Sequence, residues 1–184
     1  MEITNEKGAT IEDVKKEAAL DIQKKNLGVR IQLIIFKLGT EEYALSIDQI
    51  KEVVLTPRIA KMPQTPSYIR GVANIRGNII AILDLREKFG IDPSEENDVQ
   101  HFNYTLVIEN EIFKAGFLVA EVPNTLTIQA SDVETSANFI QSSSVDENCI
   151  QGIVKIGERL IILIDMIKLM ESINVNNVVN KAIK

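Results

Sequence analysis

Short apolar runs broken by turn residues recur along most of this chain, and their lengths suit strands better than long helices. Residues 29–38 are rich in β-branched side chains, and Gly39-Thr40-Glu41-Glu42 turns them into a second short run at 43–45, which predicts a hairpin. Ser46-Ile47-Asp48-Gln49 has capping-box spacing and predicts a brief helical turn over 47–52, ahead of the apolar Val53-Val54-Leu55. Pro57, Pro63 and Pro66 exclude a helix or inner strand and predict an ordered loop. Within it, Thr65-Pro66 reads as an N-cap and first helical residue of a single turn through Tyr68, ended by Gly71. Residues 72–75 and 79–83 predict two strands joined at Arg76-Gly77-Asn78, since Gly and Asn tolerate positive φ. Asp84 then caps a short helix, with Glu87 three residues on and Gly90 closing it.

The second half repeats the plan. Residues 102–109 and 112–119 predict another hairpin, 126–128 a further strand, and 131–148 a long irregular loop. Laying residues 69–89 over 150–170, a constant offset of 81, matches Ile69 with Ile150, Gly71 with Gly152, Ile75 with Ile156, Ile80 with Ile161 and Asp84 with Asp165. A duplicated hairpin-and-helix unit implies two similar subdomains related by a pseudo-twofold axis. Many short strands with short helices point to an all-β architecture, most simply two small barrels side by side. An acidic DPSEEND loop within 91–100 separates the halves. At the ends, Ile11, Val14, Ala18 and Ile22 fall on one face of a short marginal helix. The expected division is therefore a charged extension over 1–28, a folded region over 29–172 and a tail over 173–184.

Composition narrows the functional classes. A chain of 184 residues with 45% hydrophobic content builds a real core, and neither a membrane-length apolar run nor a secretory leader pattern is present, so a cytoplasmic protein without direct membrane insertion is expected. The single Cys149 cannot form an internal disulfide and is expected as a buried thiol. Residues 57–90 carry six cations against Asp84 and Glu87, a net of +4 within a chain of −6. One surface is thus a candidate basic face on an acidic body.

Catalytic groups do not assemble. His101 is the only histidine, which leaves no metal-binding pattern, and Ser142, Ser143 and Ser144 lie in a polar loop without a nucleophile context. Asp84 and Asp165 follow a strand and precede a helix in both repeats, so they read as twin helix caps rather than an acid pair. No enzyme, no cofactor and no metal are expected. Nucleic acid is disfavoured by the net charge, the absence of tryptophan and 5% aromatic content, although small barrels can bind oligonucleotides.

The stretch Pro63-Gln64-Thr65-Pro66-Ser67-Tyr68-Ile69-Arg70-Gly71-Val72-Ala73-Asn74-Ile75-Arg76-Gly77, continuing to Leu83-Asp84-Leu85-Arg86, resembles the signature of the CheW family of bacterial chemotaxis coupling proteins. The likeness spans about residues 29–172. It implies two SH3-like five-stranded β-barrels related by a pseudo-twofold. It also implies a non-enzymatic adaptor that couples chemoreceptor cytoplasmic tips to the regulatory domain of the histidine kinase CheA, recruited to receptor arrays at the inner face of the membrane. By the same matching, Glu52 and Arg76 form a charged pair near the partner-binding surface and Ile50 lines the receptor groove. Gly71, Asn74 and Gly77 hold the hairpin that presents Arg76. Ala81 and Ala120 depart from the family's usual proline and aspartate. The alternatives are an accessory scaffold of a divergent chemosensory or motility system, a detached regulatory barrel pair of a histidine kinase, and a small-barrel nucleic-acid binder.

Overall fold

The computed structural model describes residues 28–91, 102–134 and 149–173. Eleven strands are described: β1 (Arg30–Leu38), β2 (Glu41–Ser46), β3 (Ile50–Leu55), β4 (Ile69–Ile75), β5 (Asn78–Leu83), β6 (Tyr104–Glu109), β7 (Lys114–Val119), β8 (Asn124–Gln129), β9 (Val133–Glu134), β10 (Ile150–Ile156) and β11 (Arg159–Ile164). Two short helices, α1 (Leu85–Phe89) and α2 (Met166–Ile173), follow β5 and β11. The all-β expectation holds. The strands form two curled sheets, ordered β8-β1-β2-β11-β10-β9 and β3-β6-β7-β5-β4.

The duplication is exact in topology but exchanged in space. Replacing each strand by its counterpart in the other repeat converts β8-β1-β2-β11-β10 into β3-β6-β7-β5-β4, the whole order of the second sheet. Each sheet therefore holds a two-strand hairpin of one repeat between strands of the other, joined on one side through the parallel contacts of β11 with β2 and β5 with β7. The two-residue β9, which adds a sixth strand, has as its counterpart only an isolated bridge between Ala60 and Val72. Both hairpins β4–β5 and β10–β11 carry a bulge at the matching place, between Ile69 and Gly71 and between Ile150 and Gly152.

Burial explains why several strands read as continuous apolar runs. Along β1, Ile34, Phe36 and Leu38 enter a central core between the two sheets, while Leu33 and Ile35 enter a small core enclosed by the six-stranded sheet. Strand β5 does the same, with Ala81 and Leu83 central and Ile80 and Ile82 in the small core of the other sheet. A strand apolar on both faces loses its alternation. Leu85 and Phe89 of α1 and Met166, Leu169 and Met170 of α2 complete the central core. Phe36 packs on Phe117 at 5.3 Å between ring centroids, and Tyr43 stacks on Phe89 at 5.9 Å. Burial, with a hydrogen bond to Glu41, pushes the Tyr43 phenol above its usual range. Cys149 lies in the same core, as a buried thiol.

Several local expectations are corrected. The segment 47–52 is a 3₁₀ turn only over Ile47–Gln49, and the backbone is extended from Ile50. Ser46 makes no side-chain cap there, because its hydroxyl donates to Asp48 and the Gln49 side chain is engaged elsewhere. Thr65-Pro66 starts no helix; Ile69 N donates to Pro66 O across a turn, and the Thr65 hydroxyl donates to Met62 O. The β4–β5 turn falls within the expected Arg76-Gly77-Asn78, but its positive φ is at Arg76 (49°) and Gly77 (86°) and not at Asn78, which is already paired with Ile75. The loop expected over 131–148 contains the end of a 3₁₀ turn, Ala130–Asp132, and β9. The expectations for the N-terminal helix, the acidic loop, His101, Ser142 to Ser144 and the tail after Ile173 lie outside the described residues.

Candidate functional site

The β4–β5 hairpin and the edge strand β3 build the corner where most of the expected residues meet. Asn74 sits at the end of β4, and its Oδ1 accepts from Gly77 N at 2.9 Å, closing the turn from the side-chain end. Positive φ at both central residues gives a two-residue turn whose twist matches its strands. Gly77 meets that requirement without a side chain, and nothing lies within 4 Å of where its Cβ would be. Arg76 meets it at a cost, since an L-residue in the left-handed region is disfavoured by roughly 1–2 kcal/mol. Its counterpart in the second hairpin is Gly157, also at positive φ.

What Arg76 gains is a fixed direction. Its Nε donates to Glu52 Oε2 at 2.6 Å, with the Glu52 side chain 19% exposed and that of Arg76 76% exposed. The glutamate is the anchored partner and the guanidinium is displayed. Glu52 reaches this place because β3 is bulged: Ile50 pairs with Ile108 but Glu52 pairs with Val107, so Lys51 is the extra residue. Two residues apart on a regular strand, Ile50 and Glu52 would share a face. The bulge sends Ile50 to the central core, where it is half-buried, and turns Glu52 to the opposite face.

Gly71 does not join this corner. It stands at the bulge near the other end of β4, at φ 139°, where an added Cβ would lie 2.1 Å from the carbonyl oxygen of Ala60. Its role is to let the loop strand at Ala60 close on Val72, with hydrogen bonds of 2.8 and 2.9 Å. Ala81 is fully buried opposite Ala115 across the parallel contact. Ala120 O accepts from the Asn103 side chain.

Two features of the surroundings were not foreseen. Gln49, just before β3, donates from Nε2 to Asp165 Oδ1 at 3.3 Å and accepts at Oε1 from Met166 N at 3.2 Å, tying the start of β3 to the cap of α2. The other is a pair of grooves in matching places of the two sheets. One, of about 560 Å³, is lined by Arg58, Ile59, Lys61, Asn74 and Ile79 among others; its counterpart, of about 500 Å³, has Ser131, Asp132, Glu134 and Lys155. The duplicated surface has thus diverged in charge. The excess of cations in 57–90 is only partly displayed: Arg86 is turned inward, 3.4 Å from Asp84 and over the Phe102 ring, and Lys88 lies over Tyr68.

The twin aspartates are helix caps. Asp84 Oδ1 accepts from Arg86 N, and Asp165 Oδ1 accepts from Ile167 N and Lys168 N. Across the parallel sheet contact, Arg159 makes two 2.8 Å bonds to Glu42, whose carboxyl is held below its usual range chiefly by that hydrogen-bonded guanidinium. Among the described residues no three His, Cys, Asp or Glu side chains gather as a metal site, and no helix is long and apolar enough to cross a membrane.

Comparison with known proteins places this architecture. The profile of the family described as CheW-like domain matches residues 32–174. The chemotaxis protein CheW of Klebsiella aerogenes is 31% identical over 144 residues, covering 77% of this chain and 82% of its own. That of Helicobacter pylori is 29% identical over 150 residues, covering 82% and 87%. The crystal structure of the scaffolding protein TtCheW from Thermoanaerobacter tengcongensis superposes with a TM-score of 0.65 at 30% identity, over 75% of this chain and 86% of that one.

Proposed function

This chain belongs to the CheW-like domain family, and on that premise we propose that the corner formed by Glu52, Asn74, Arg76 and Gly77 is where it joins the other components of a chemosensory array. It is a chemotaxis scaffold, working by contact. The partners we assign are the regulatory domain of a CheA histidine kinase and the cytoplasmic tips of chemoreceptors. In this reading the chain does no catalysis and is recruited to arrays at the inner face of the membrane. Residues 29–172 carry the activity, with 1–28 and 173–184 outside it.

The observation that supports the location is Arg76 itself, an exposed arginine in a disfavoured backbone conformation and held by one short bond to a less exposed glutamate. An exposed ion pair contributes less than about 1 kcal/mol to folding, too little to offset the conformational cost. A fixed guanidinium, however, loses less entropy when a partner docks and steers an acidic partner into register. Ile50 lies on the other face of the same strand, half-buried against the central core, and there offers a separate apolar contact.

The test is co-sedimentation with receptor-bearing membranes and the kinase, with kinase activity read in parallel. The wild-type chain is expected to pellet with both and to raise the activity. Arg76→Glu, which sets two carboxylates against each other at the turn, is expected to keep the melting temperature within a few degrees and lose the activation. Wild-type behaviour of that variant would remove the site, and failure of the unaltered chain to pellet with either component would remove the partners.

A further inference from the structure

The two residues that form the displayed pair approach from different elements, so something must fix the starting point of β3. The end of β2 leads directly into the 3₁₀ turn Ile47–Gln49, which buries no residue of its own. Its one apolar side chain, Ile47, is only partly buried against the central core, so packing alone holds the turn weakly. Immediately after it comes the bulge at Lys51, and a bulge leaves one residue unpaired in the ladder, a place where register can slip.

Gln49 occupies this junction and reaches across to the other repeat. Its carboxamide uses both of its functions on one target: Nε2 donates to the Asp165 carboxylate and Oε1 accepts from Met166 N, a helix-end donor that no backbone carbonyl can satisfy. The target is rigid. Asp165 is bonded by Gln151 Nε2 and by the Ile167 and Lys168 amides, and its own N–H donates to Cys149 O at 2.7 Å. Met166 and Leu169, on the buried face of α2, are fully enclosed in the central core. The matching cap in the first repeat, Asp84, is served instead by its neighbour Arg86 and has no such link to a distant strand among the bonds described.

We propose that Gln49 is a positioning residue: by clamping the start of β3 to the N-terminus of α2 it fixes the bulge at Lys51 and so holds Glu52 where it can orient Arg76. Information about the seating of α2 is thereby carried to the partner corner through two hydrogen bonds and three residues of strand. The proposal deepens the partner-surface reading, and only its binding arm rests on that reading.

The experiment uses the full chain. In ¹⁵N spectra, the Arg76 Nε–H bonded to Glu52 is expected to give a resolved, slowly exchanging signal, identified by its loss in Glu52→Ala. Gln49→Ala, and Gln49→Met, which keeps the volume without the hydrogen bonds, are expected to abolish that protection together with the slow exchange of the Met166 amide. Ser172→Ala, which removes a bond from Ser172 Oγ to Leu169 O at the far end of the same helix, is expected to leave the Arg76 signal intact. Affinity in co-sedimentation is expected to fall about fivefold for both Gln49 variants and to stay unchanged for Ser172→Ala. Persistence of the protected Arg76 signal in folded Gln49→Met would overturn the proposal, as would its equal loss in Ser172→Ala. Loss of that signal with undiminished binding would sustain the positioning role and count against the corner as partner surface.

Discussion

Gly71 and Ala60 approach so closely that a methyl group on the glycine would sit 2.1 Å from the alanine's carbonyl oxygen, inside any permitted contact. The approach is backbone to backbone, so no side chain can yield. Gly71→Ala is therefore expected to destabilise by about 3 kcal/mol, combining the clash with the strain of φ 139°. A thermal melt should fall by roughly 6–12 °C. A change under 2 °C would mean that the Ala60 bridge is dispensable.

Arg76→Gly separates folding from function at one position. Removing the side chain relieves the left-handed strain, worth roughly 1 kcal/mol, and forfeits an exposed pair worth less. The melting temperature is expected to hold or to rise by up to about 2 °C while co-sedimentation with receptor and kinase declines. A variant that is both less stable and fully active would contradict the division of roles.

The twin caps are unequal, and their truncations should show it. Asp84 is 2% exposed at its side chain and faces the largely enclosed Arg86 guanidinium, so Asp84→Ala strips a charge partner as well as a cap, for about 2–4 kcal/mol. Asp165 is 13% exposed, and its loss should cost about 1–2 kcal/mol. Chemical denaturation of the two variants would reverse this order if the inward-facing ion pair contributed nothing.

Acid stability should carry a mark of Glu42. Its carboxyl is held below the usual glutamate range by the Arg159 hydrogen bond, so the folded state holds the proton less tightly than the unfolded chain. The stabilisation is complete above the unfolded pKa and is lost as pH falls through the lower folded value. Arg159→Gln is expected to be slightly less stable than wild type at pH 7, with the two curves converging as the pH falls through the depressed folded value. A gap that persists undiminished into acid would assign the effect to packing rather than ionisation.

The sequence made local features legible and hid relations between distant residues. The paired glycines at 71 and 152 and the paired aspartates at 84 and 165 each answer a requirement of their own backbone, a bulge and a helix start, so pattern alone finds them. Ser46 and Gln49 satisfy the spacing of a capping box as well as any real one, yet Gln49 bonds a residue 116 positions away, and nothing nearby in the sequence signals that partner. The turn at Arg76-Gly77-Asn78 is legible, but its positive φ falls on Arg76 and Gly77, although Gly and Asn tolerate that conformation best. Cross-strand pairing of Ile75 with Asn78 outweighed that preference. Family likeness points to Glu52 and Arg76, while their meeting depends on a bulge that no pattern in 50–55 announces.

Because strands of both repeats are interleaved in both sheets, the unit that was copied in the sequence is not the unit that folds. A chain cut at the acidic linker would leave each fragment with three strands of one sheet, or four, and two of the other, most of them missing a neighbour. The fragments should be helpless apart and complementary together. An ancestor consisting of one repeat would have met the same predicament, which two identical chains exchanging strands would resolve.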